Sequence, residues 1–325
     1  MDNFPNNLVR LKSTMLYALL IVCANGCSSF YAIPKYSGRI PEGKSPLKIA
    51  VIGDLQQTSF LETWRERNNR PQIRQIQLLA ATNPDLVVTL GDNVFWGSSD
   101  DDWAYFDRLL IPLRKRGIPI MPVLGNHEYF GSISDMYNQI QQRFPLYKSL
   151  WYYQIVDSIG FVMINTNFSD LGGKVMAEQR GWFVQTMRKL DRNTAVQYIV
   201  VCGHHPPFTN SVIVDDDEIL QSYFLPIYMQ SVKGAIWFSG HCHAYERFSK
   251  GGKQFIVSGG GGGPRQNLVT GILEQHKDQY AGSDIRPMHY CTLQRTASAL
   301  VMEMVPLQYR EEYLADTLRI ELQVE

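Results

Sequence analysis

The sequence predicts a layered α/β fold in which two mixed β-sheets pack face to face and helices flank them. Three observations carry the prediction. From residue 47 onward, apolar strand-like runs alternate with amphipathic helical segments, without a repeat, a low-complexity block or an interdomain linker. The strands of the first half run into glycine followed by a polar residue, as buried parallel strands do. The second half holds a tight hairpin, which purely parallel winding does not explain.

Taken in order, residues 1–26 carry Arg10 and Lys12 ahead of a short apolar heart, Met15 to Cys23, and then Ala24-Asn25-Gly26. Nine apolar residues are too few to span a bilayer. This predicts a secretory signal cleaved near Gly26, or a lipoprotein signal with Cys27 as acceptor, and hence export to a periplasmic, extracellular or lipid-anchored location. Residues 27–46 read as a linker and 47–325 as one folded domain. Within it, 47–52 is a strand ending at Gly53-Asp54 and 70–81 a helix stopped by Asn83-Pro84. Strand 86–90 leads to Gly91-Asp92, helix 103–116 follows, and strand 118–124 leads to Gly125-Asn126. Strands 152–156 and 161–165 are joined by the turn Asp157-Ser158-Ile159-Gly160. A helix over 178–190 precedes strand 197–201, which ends at Gly203-His204-His205. Strand 235–238 ends at Gly240-His241-Cys242-His243, and further strands cover 255–257, 299–305 and 317–322.

The 325 residues carry 31 basic and 31 acidic side chains, so bulk charge recruits no nucleic acid, and 45% hydrophobic content excludes a disordered chain. Five cysteines form no disulfide framework; Cys202 and Cys242 are expected to be small buried hydrophobes. The histidines are placed unevenly. Five of seven, His127, His204, His205, His241 and His243, sit in three short glycine-containing motifs.

Five strand ends thus present Asp54, Asp92, Asn126, His204 and the pair His241 and His243. Strand carboxyl ends converge on one crevice in open α/β sheets. Oxygen and imidazole donors without a thiolate set suit borderline divalent metals. Six such donors exceed one tetrahedral site, and a carboxylate shared by two ions roughly 3.5–4 Å apart suits in-line attack at phosphorus.

GDLQQT at 53–58, GDNVF at 91–95, GNHEY at 125–129, CGHHPPF at 202–208 and GHCHAYERF at 240–248 together resemble the five motifs of calcineurin-like metallophosphoesterases. Within that superfamily they are most similar to the short, single-domain purple acid phosphatases. The resemblance implies the metallo-dependent phosphatase fold, with Asp92 bridging two divalent ions. Asp54 and His243 would bind the first, and Asn126, His204 and His241 the second. It leaves His127 to contact phosphate or protonate the leaving alkoxide, with Glu128 orienting it. Asn126 would also touch substrate, and His205 either does so or shapes its loop.

Two positions depart from the purple acid phosphatase pattern. Phe95 stands where that family has a tyrosinate, and Gln56 where other superfamily members have a histidine. Gln56 is a weaker, neutral donor, and loss of the phenolate disfavours a trivalent ion, so the expected metals are Mn, Zn or ferrous iron. The implied function is an exported phosphatase that cleaves phosphomonoesters on small phosphorylated substrates by attack of a metal-bridged hydroxide. Phosphodiesterase or nuclease activity on the same centre, or a non-catalytic metal- or phosphate-binding surface protein, are the alternatives. No nucleic-acid partner is expected, and membrane contact only through the N-terminal signal or lipid.

Other features read as structural. Gly259 to Gly263 lacks the GK[ST] ending of a phosphate loop. Asp215 to Glu218 and Asp100 to Asp102 read as acidic helix starts. Arg247 reads as an ion-pair partner, and His276 and His289 as packing residues. Trp96 and Tyr129 are expected at the rim of the crevice. Asn167-Phe168-Ser169 is a glycosylation sequon.

Overall fold

The computed structural model describes residues 32–36, 38–40, 45–59, 64–308 and 313–322. The signal expected over 1–26 and the acceptor Cys27 lie outside the described residues. From residue 35 onward the strands are β1 (Lys48–Ile52), β2 (Leu86–Leu90), β3 (Ile120–Val123), β4 (Tyr152–Val156), β5 (Ile159–Met163), β6 (Tyr198–Cys202), β7 (Gly234–Ser239), β8 (Tyr245–Lys250), β9 (Lys253–Ser258), β10 (His289–Arg295), β11 (Ala299–Pro306) and β12 (Asp316–Glu321). The helices are α1 (Asn69–Ala81), α2 (Asp100–Leu109), α3 (Ile111–Arg114), α4 (Ile133–Arg143), α5 (Phe168–Arg192) and α6 (Leu225–Gln230).

They build two six-stranded sheets, ordered β12-β11-β10-β1-β2-β3 and β4-β5-β6-β7-β9-β8. In the first, β1, β2 and β3 are parallel and β10 to β12 antiparallel. In the second, β5, β6, β7 and β9 are parallel and the edges β4 and β8 antiparallel. Both sheets are mixed, as the sequence predicts.

The two-residue period of a strand sorts its side chains into layers. Ile49, Val51, Val88 and Leu90 meet Phe161, Met163, Val200 and Phe238 between the sheets. Ala50, Ile52 and Val87 face the other way, onto Ile76 and Leu79 of α1 and Phe106 of α2. On the far side Val162, Val201 and Trp237 receive Phe183 and Met187 of α5. The central parallel strands β2, β5, β6 and β7 are buried on both faces, which is why their sequences are nearly continuous apolar runs.

Differences from the expected elements have local causes. The helix expected over 103–116 is two helices, interrupted at Leu110 with Pro112 in the first turn of α3. The hairpin turn is only Asp157-Ser158, both at positive φ (47° and 65°), the two-residue geometry that matches strand twist, so β5 starts at Ile159. Helix α5 begins at Phe168, ten residues before expected, and Gly172 kinks it at φ 73°. Asn167 is only 2% exposed and its Nδ2 donates to the Leu124 carbonyl at 3.2 Å, so the sequon is committed to internal bonds.

Part of the stretch expected to be a linker packs onto the domain. Tyr36 is buried, its N–H donates to the Arg143 carbonyl at 2.8 Å, and its hydroxyl donates to Asp107 Oδ1 at 2.9 Å. Asp107 also receives Arg143 Nη2 at 2.7 Å, and the guanidinium lies 4.9 Å over the Trp103 ring. Both charges are buried, so removing one strands the other. Arg143→Met is expected to lower stability by about 3–5 kcal/mol in urea unfolding, and pairing it with Asp107→Leu should recover most of the loss.

Candidate metal centre

The carboxyl ends of the parallel strands of both sheets meet at one place. Gly53 N–H donates to the Ser258 carbonyl at 3.1 Å and Gly240 N–H to the His204 carbonyl at 2.9 Å, so strand ends are tied backbone to backbone. Glycine is required there: a Cβ at Gly240 would stand 2.6 Å from Asp54 Oδ2, and one at Gly53 2.7 Å from the Ser258 carbonyl. Immediately beyond these contacts Asp54, Asp92 and His241 adopt left-handed backbone, φ 60°, 48° and 66°. Such conformations cost free energy for residues other than glycine and occur where a side chain must be aimed.

Two clusters of potential metal ligands result: Asp54, Asp92 and His243, and His204, His205 and His241. In each, the ligand atoms lie within 4.8 Å of one another. His204 Nε2 stands 3.1 Å from Asn126 Oδ1, 3.2 Å from His241 Nδ1 and 3.3 Å from Asp92 Oδ2. His204 Nδ1–H donates to the Leu90 carbonyl at 2.8 Å, which leaves the neutral ring's Nε2 as a lone pair. Four acceptors directed at one another require a cation or a proton among them. Their spacing is that of donors about 2.1 Å from a common ion.

At the first cluster His243 is held likewise, its Nδ1–H on the Pro264 carbonyl at 2.8 Å, with Nε2 3.6 Å from Asp54 Oδ1. Gln56 Nε2 approaches His243 Nε2 at 3.1 Å, and Gln56 Oε1 is buried with no hydrogen-bond partner among the described residues. A half-turn of the amide would present that orphaned oxygen to the same point. The donor set therefore fits two divalent cations, with Gln56 as the neutral member.

The electrostatics agree. Burial pushes the Asp54 carboxyl well above the usual carboxylate range, and the charge on Asp92 adds to the effect. Burial would also raise Asp92, but His204 and His127 hold it well below that range. Burial opposes charge on His204, yet Asp92 raises it to about 9. Burial and the neighbouring His204 lower His205 to about 3 and His241 well below its ordinary value. Protons are thus distributed unevenly over a cavity whose acceptors call for positive charge.

The surroundings assign other roles. His127 is beside the cluster, its Nε2 3.9 Å from Asp92 Oδ2. Its Nδ1–H donates to the Phe95 carbonyl at 2.7 Å, so that carbonyl, and not Glu128 as expected, orients the ring. Glu128 is fully buried and accepts from the backbone N–H groups of Gly125, Asp92 and Asn93 at 2.6, 3.0 and 2.7 Å, fastening the β2 and β3 loops together. Burial and Asp92 raise it to about 7. His205 joins the imidazole cluster, its Nδ1 2.7 Å from Thr166 Oγ1 and its ring 4.4 Å from that of His241. The Phe95 ring packs on His127 at 5.0 Å. Tyr129 is buried beneath the loops, its hydroxyl accepting from Asn165 Nδ2 at 2.7 Å, while Trp96 remains 46% exposed. The Gly259 to Gly263 run is a packing surface: a Cβ at Gly259 would stand 2.8 Å from Asp54 Oδ2.

Features read as structural are so. Arg247 grips Asp316 through Nε (2.7 Å) and Nη2 (3.1 Å). Asp217 accepts the Leu220 N–H at 2.8 Å, and Ser99 that of Asp102 at 3.2 Å, both capping helical turns. His276 pairs with Asp216 at 2.7 Å and His289 is buried against Ser258. The thiols of Cys202, Cys242 and Cys291 are free and buried. Thr166, Asn165 and the carbonyls of Leu90, Phe95 and Pro264 have no sequence signature, because every residue carries a carbonyl and only the fold decides which faces an imidazole.

Comparison with known proteins accords with this geometry. Residues 47–245 match the calcineurin-like phosphoesterase family, and the chain belongs to it. Probable purple acid phosphatase 20 of Arabidopsis thaliana is 25% identical over 274 residues, 78% of this chain and 59% of that protein, a distant relationship. The chain spans about half the length of the curated relatives it matches. Two solved structures share the fold. GAP50, the anchor in the inner membrane complex of Plasmodium, has TM-score 0.66 and 17% identity, covering 87% of this chain and 90% of that one. The purple acid phosphatase PPD1 of yellow lupin seeds has TM-score 0.66 and 16% identity, covering 87% and 55%.

Two outcomes follow. Titration with Mn or Zn is expected to load two ions per chain by elemental analysis and, at a hundredfold excess over each Kd, to add about 2.7 kcal/mol of stability per ion; Asp92→Asn should remove most of that gain. Glu246, which accepts the Thr209 hydroxyl at 2.6 Å and the Asn210 N–H at 2.7 Å, is pushed up to about 7 by burial. A raised carboxyl stabilises the fold below its unfolded pKa of about 4.3 and loses that contribution as pH rises through the folded value. The stability of the wild type relative to Glu246→Gln should therefore fall from about pH 4 to pH 7 in paired denaturation curves.

Proposed function

We propose that this chain is a binuclear metal-dependent phosphomonoesterase of the short, single-domain purple acid phosphatase type, acting on small phosphorylated substrates. The observation that carries the reading is the convergence of Asp92, Asn126, His204 and His241 on one point, with His127 beside it and held away from coordination by its own carbonyl partner. Asp54, Asp92, His243 and, more weakly, Gln56 would hold one ion; Asp92, Asn126, His204 and His241 the other. When bound, two divalent ions lower the pKa of water, clamp the phosphoryl oxygens and offset the charge that develops. With Nδ1–H engaged by the Phe95 carbonyl, His127 presents Nε2 to the ester oxygen and donates its proton to the departing alkoxide. His205, fixed by Thr166, and Asn126 line the phosphoryl group. Mn, Zn or ferrous iron suits the donor set, since Phe95 supplies no phenolate.

The reading extends to the rest of the chain. Residues 1–26 serve as an export or lipoprotein signal, with Cys27 as the tentative lipid acceptor, and the working domain runs from about Leu47 to the C-terminus with Tyr36 packed against it. Support for export is the basic and short apolar segment itself; among the described residues no helix is long and apolar enough to cross a membrane.

The deciding experiment is hydrolysis of a chromogenic phosphomonoester and its matched diester by metal-stripped protein re-titrated with Mn, Zn and ferrous iron. Metal-dependent turnover favouring the monoester is expected. Asp92→Asn should abolish it, and His127→Ala should keep the metal content while lowering kcat roughly 10²–10⁴-fold. Diester preference, or stoichiometric metal uptake without turnover of either ester, would overturn the assignment.

A further inference from the structure

We propose that Phe95, Trp96 and Phe130 form a preformed shelf that binds a flat aromatic group carried by the alcohol portion of the phosphoester; this deepens the phosphomonoesterase reading and rests on it. The His127 ring lies between Phe95 (centroids 5.0 Å) and Phe130 (4.6 Å), and the Trp96 indole lies 5.6 Å beyond Phe130. Aromatic surface therefore runs outward, without a break, from the imidazole that faces the leaving group. Its outer members are open to solvent: Trp96 is 46% and Phe130 36% exposed. Two adjacent large rings exposed at the lip of a polar cavity mark a binding surface more than a packing accident.

The shelf is also held in place before any ligand arrives. Gly97 N–H donates to the His127 carbonyl at 3.0 Å and Ser98 N–H to the Phe130 carbonyl at 3.3 Å, so the segments bearing the rings are zipped together. Trp96 Nε1–H donates to Ser98 Oγ at 3.1 Å, which fixes the plane of the indole. Gly97 packs directly on the Glu128 backbone, where no Cβ fits, so this pairing depends on glycine. A fixed pair of aromatic faces favours planar ligands by stacking and leaves aliphatic alcohols with little to gain.

The test compares adenosine 5′-monophosphate with ribose 5-phosphate on the Mn-loaded full chain. The two share charge and the same primary alkoxide leaving group and differ only in the base. The kcat/KM should favour the nucleotide by roughly 5- to 150-fold, the range of base stacking on an aromatic side chain. Trp96→Ala should reduce that ratio about tenfold, mainly through KM, and Trp96→Phe should retain most of it. A second readout needs no turnover: saturation-transfer NMR with adenosine should mark the base protons, and Trp96→Ala should erase the signal. A nucleotide-to-sugar ratio near one, or a ratio and NMR signal untouched by Trp96→Ala, would overturn the shelf. Base-marked binding without hydrolysis of either phosphate would keep the shelf and overturn the phosphomonoesterase reading instead.

Discussion

The centre depends on bringing the ends of two separate sheets within a few ångströms of each other. Asp54 and Asp92 follow strands of one sheet, and His204, His241 and His243 follow strands of the other. Face-to-face sheets stand about 10 Å apart, too far for ligands of one ion. Here the gap closes where chain touches chain, as in the hydrogen bonds of Gly53 to Ser258 and Gly261 to Gly53 (3.1 and 2.9 Å). A side chain at these positions would hold the sheets apart and separate the carboxylates from the imidazoles. The glycine motifs thus act on distance first and on turn geometry second.

Closing that gap concentrates acceptors in a buried place, and the fold answers with fixed donors. Glu128 is the clearest case: its carboxylate is satisfied by backbone N–H groups from two loops, so a buried charge becomes the fastening between the Asp92 and Asn126 segments. His204 and His243 are fixed in the same manner, Nδ1–H of each on a backbone carbonyl, which sets the tautomer and directs a lone pair inward. Left-handed backbone at Asp54, Asp92 and His241 belongs with these contacts. Packing and hydrogen bonds on every side over-determine the conformation, and a local cost is retained because it aims a ligand.

How much of this was legible in the sequence follows from what burial does to composition. Strands covered on both faces are nearly continuous apolar runs, and 86–90 coincides with β2 residue for residue, as 152–156 does with the edge strand β4. Strands with one open face, such as β8 (YERFSK) and β10 (HYCTLQR), carry polar residues and show no such run. Helix α5 starts ten residues before the stretch expected over 178–190, and its first turns carry Gly172-Gly173, where Gly172 kinks the helix. The residues of the centre stood out because chemistry restricts them to a few types. The contacts that orient them did not, since Phe95's carbonyl does the work once ascribed to Glu128, and a carbonyl leaves no mark on residue type.

The two halves of the centre are unequal, and the inequality has a physical direction. Around carbonyl-locked His204 stand one further imidazole at hydrogen-bond distance, His241, an amide oxygen and the shared carboxylate, tightly spaced. Beside the locked imidazole of His243 there are two carboxylates, and next to it lies Gln56, whose buried oxygen has no partner among the described residues. An unpaired buried oxygen is costly to retain, so its persistence beside a carboxylate pair argues for a positive partner. Phe95 contributes no charge, but its ring and carbonyl both bear on His127. That position thus bears on His127, while negative charge at the first cluster comes from Asp54 and Asp92. A cluster with two carboxylates and no phenolate suits divalent ions.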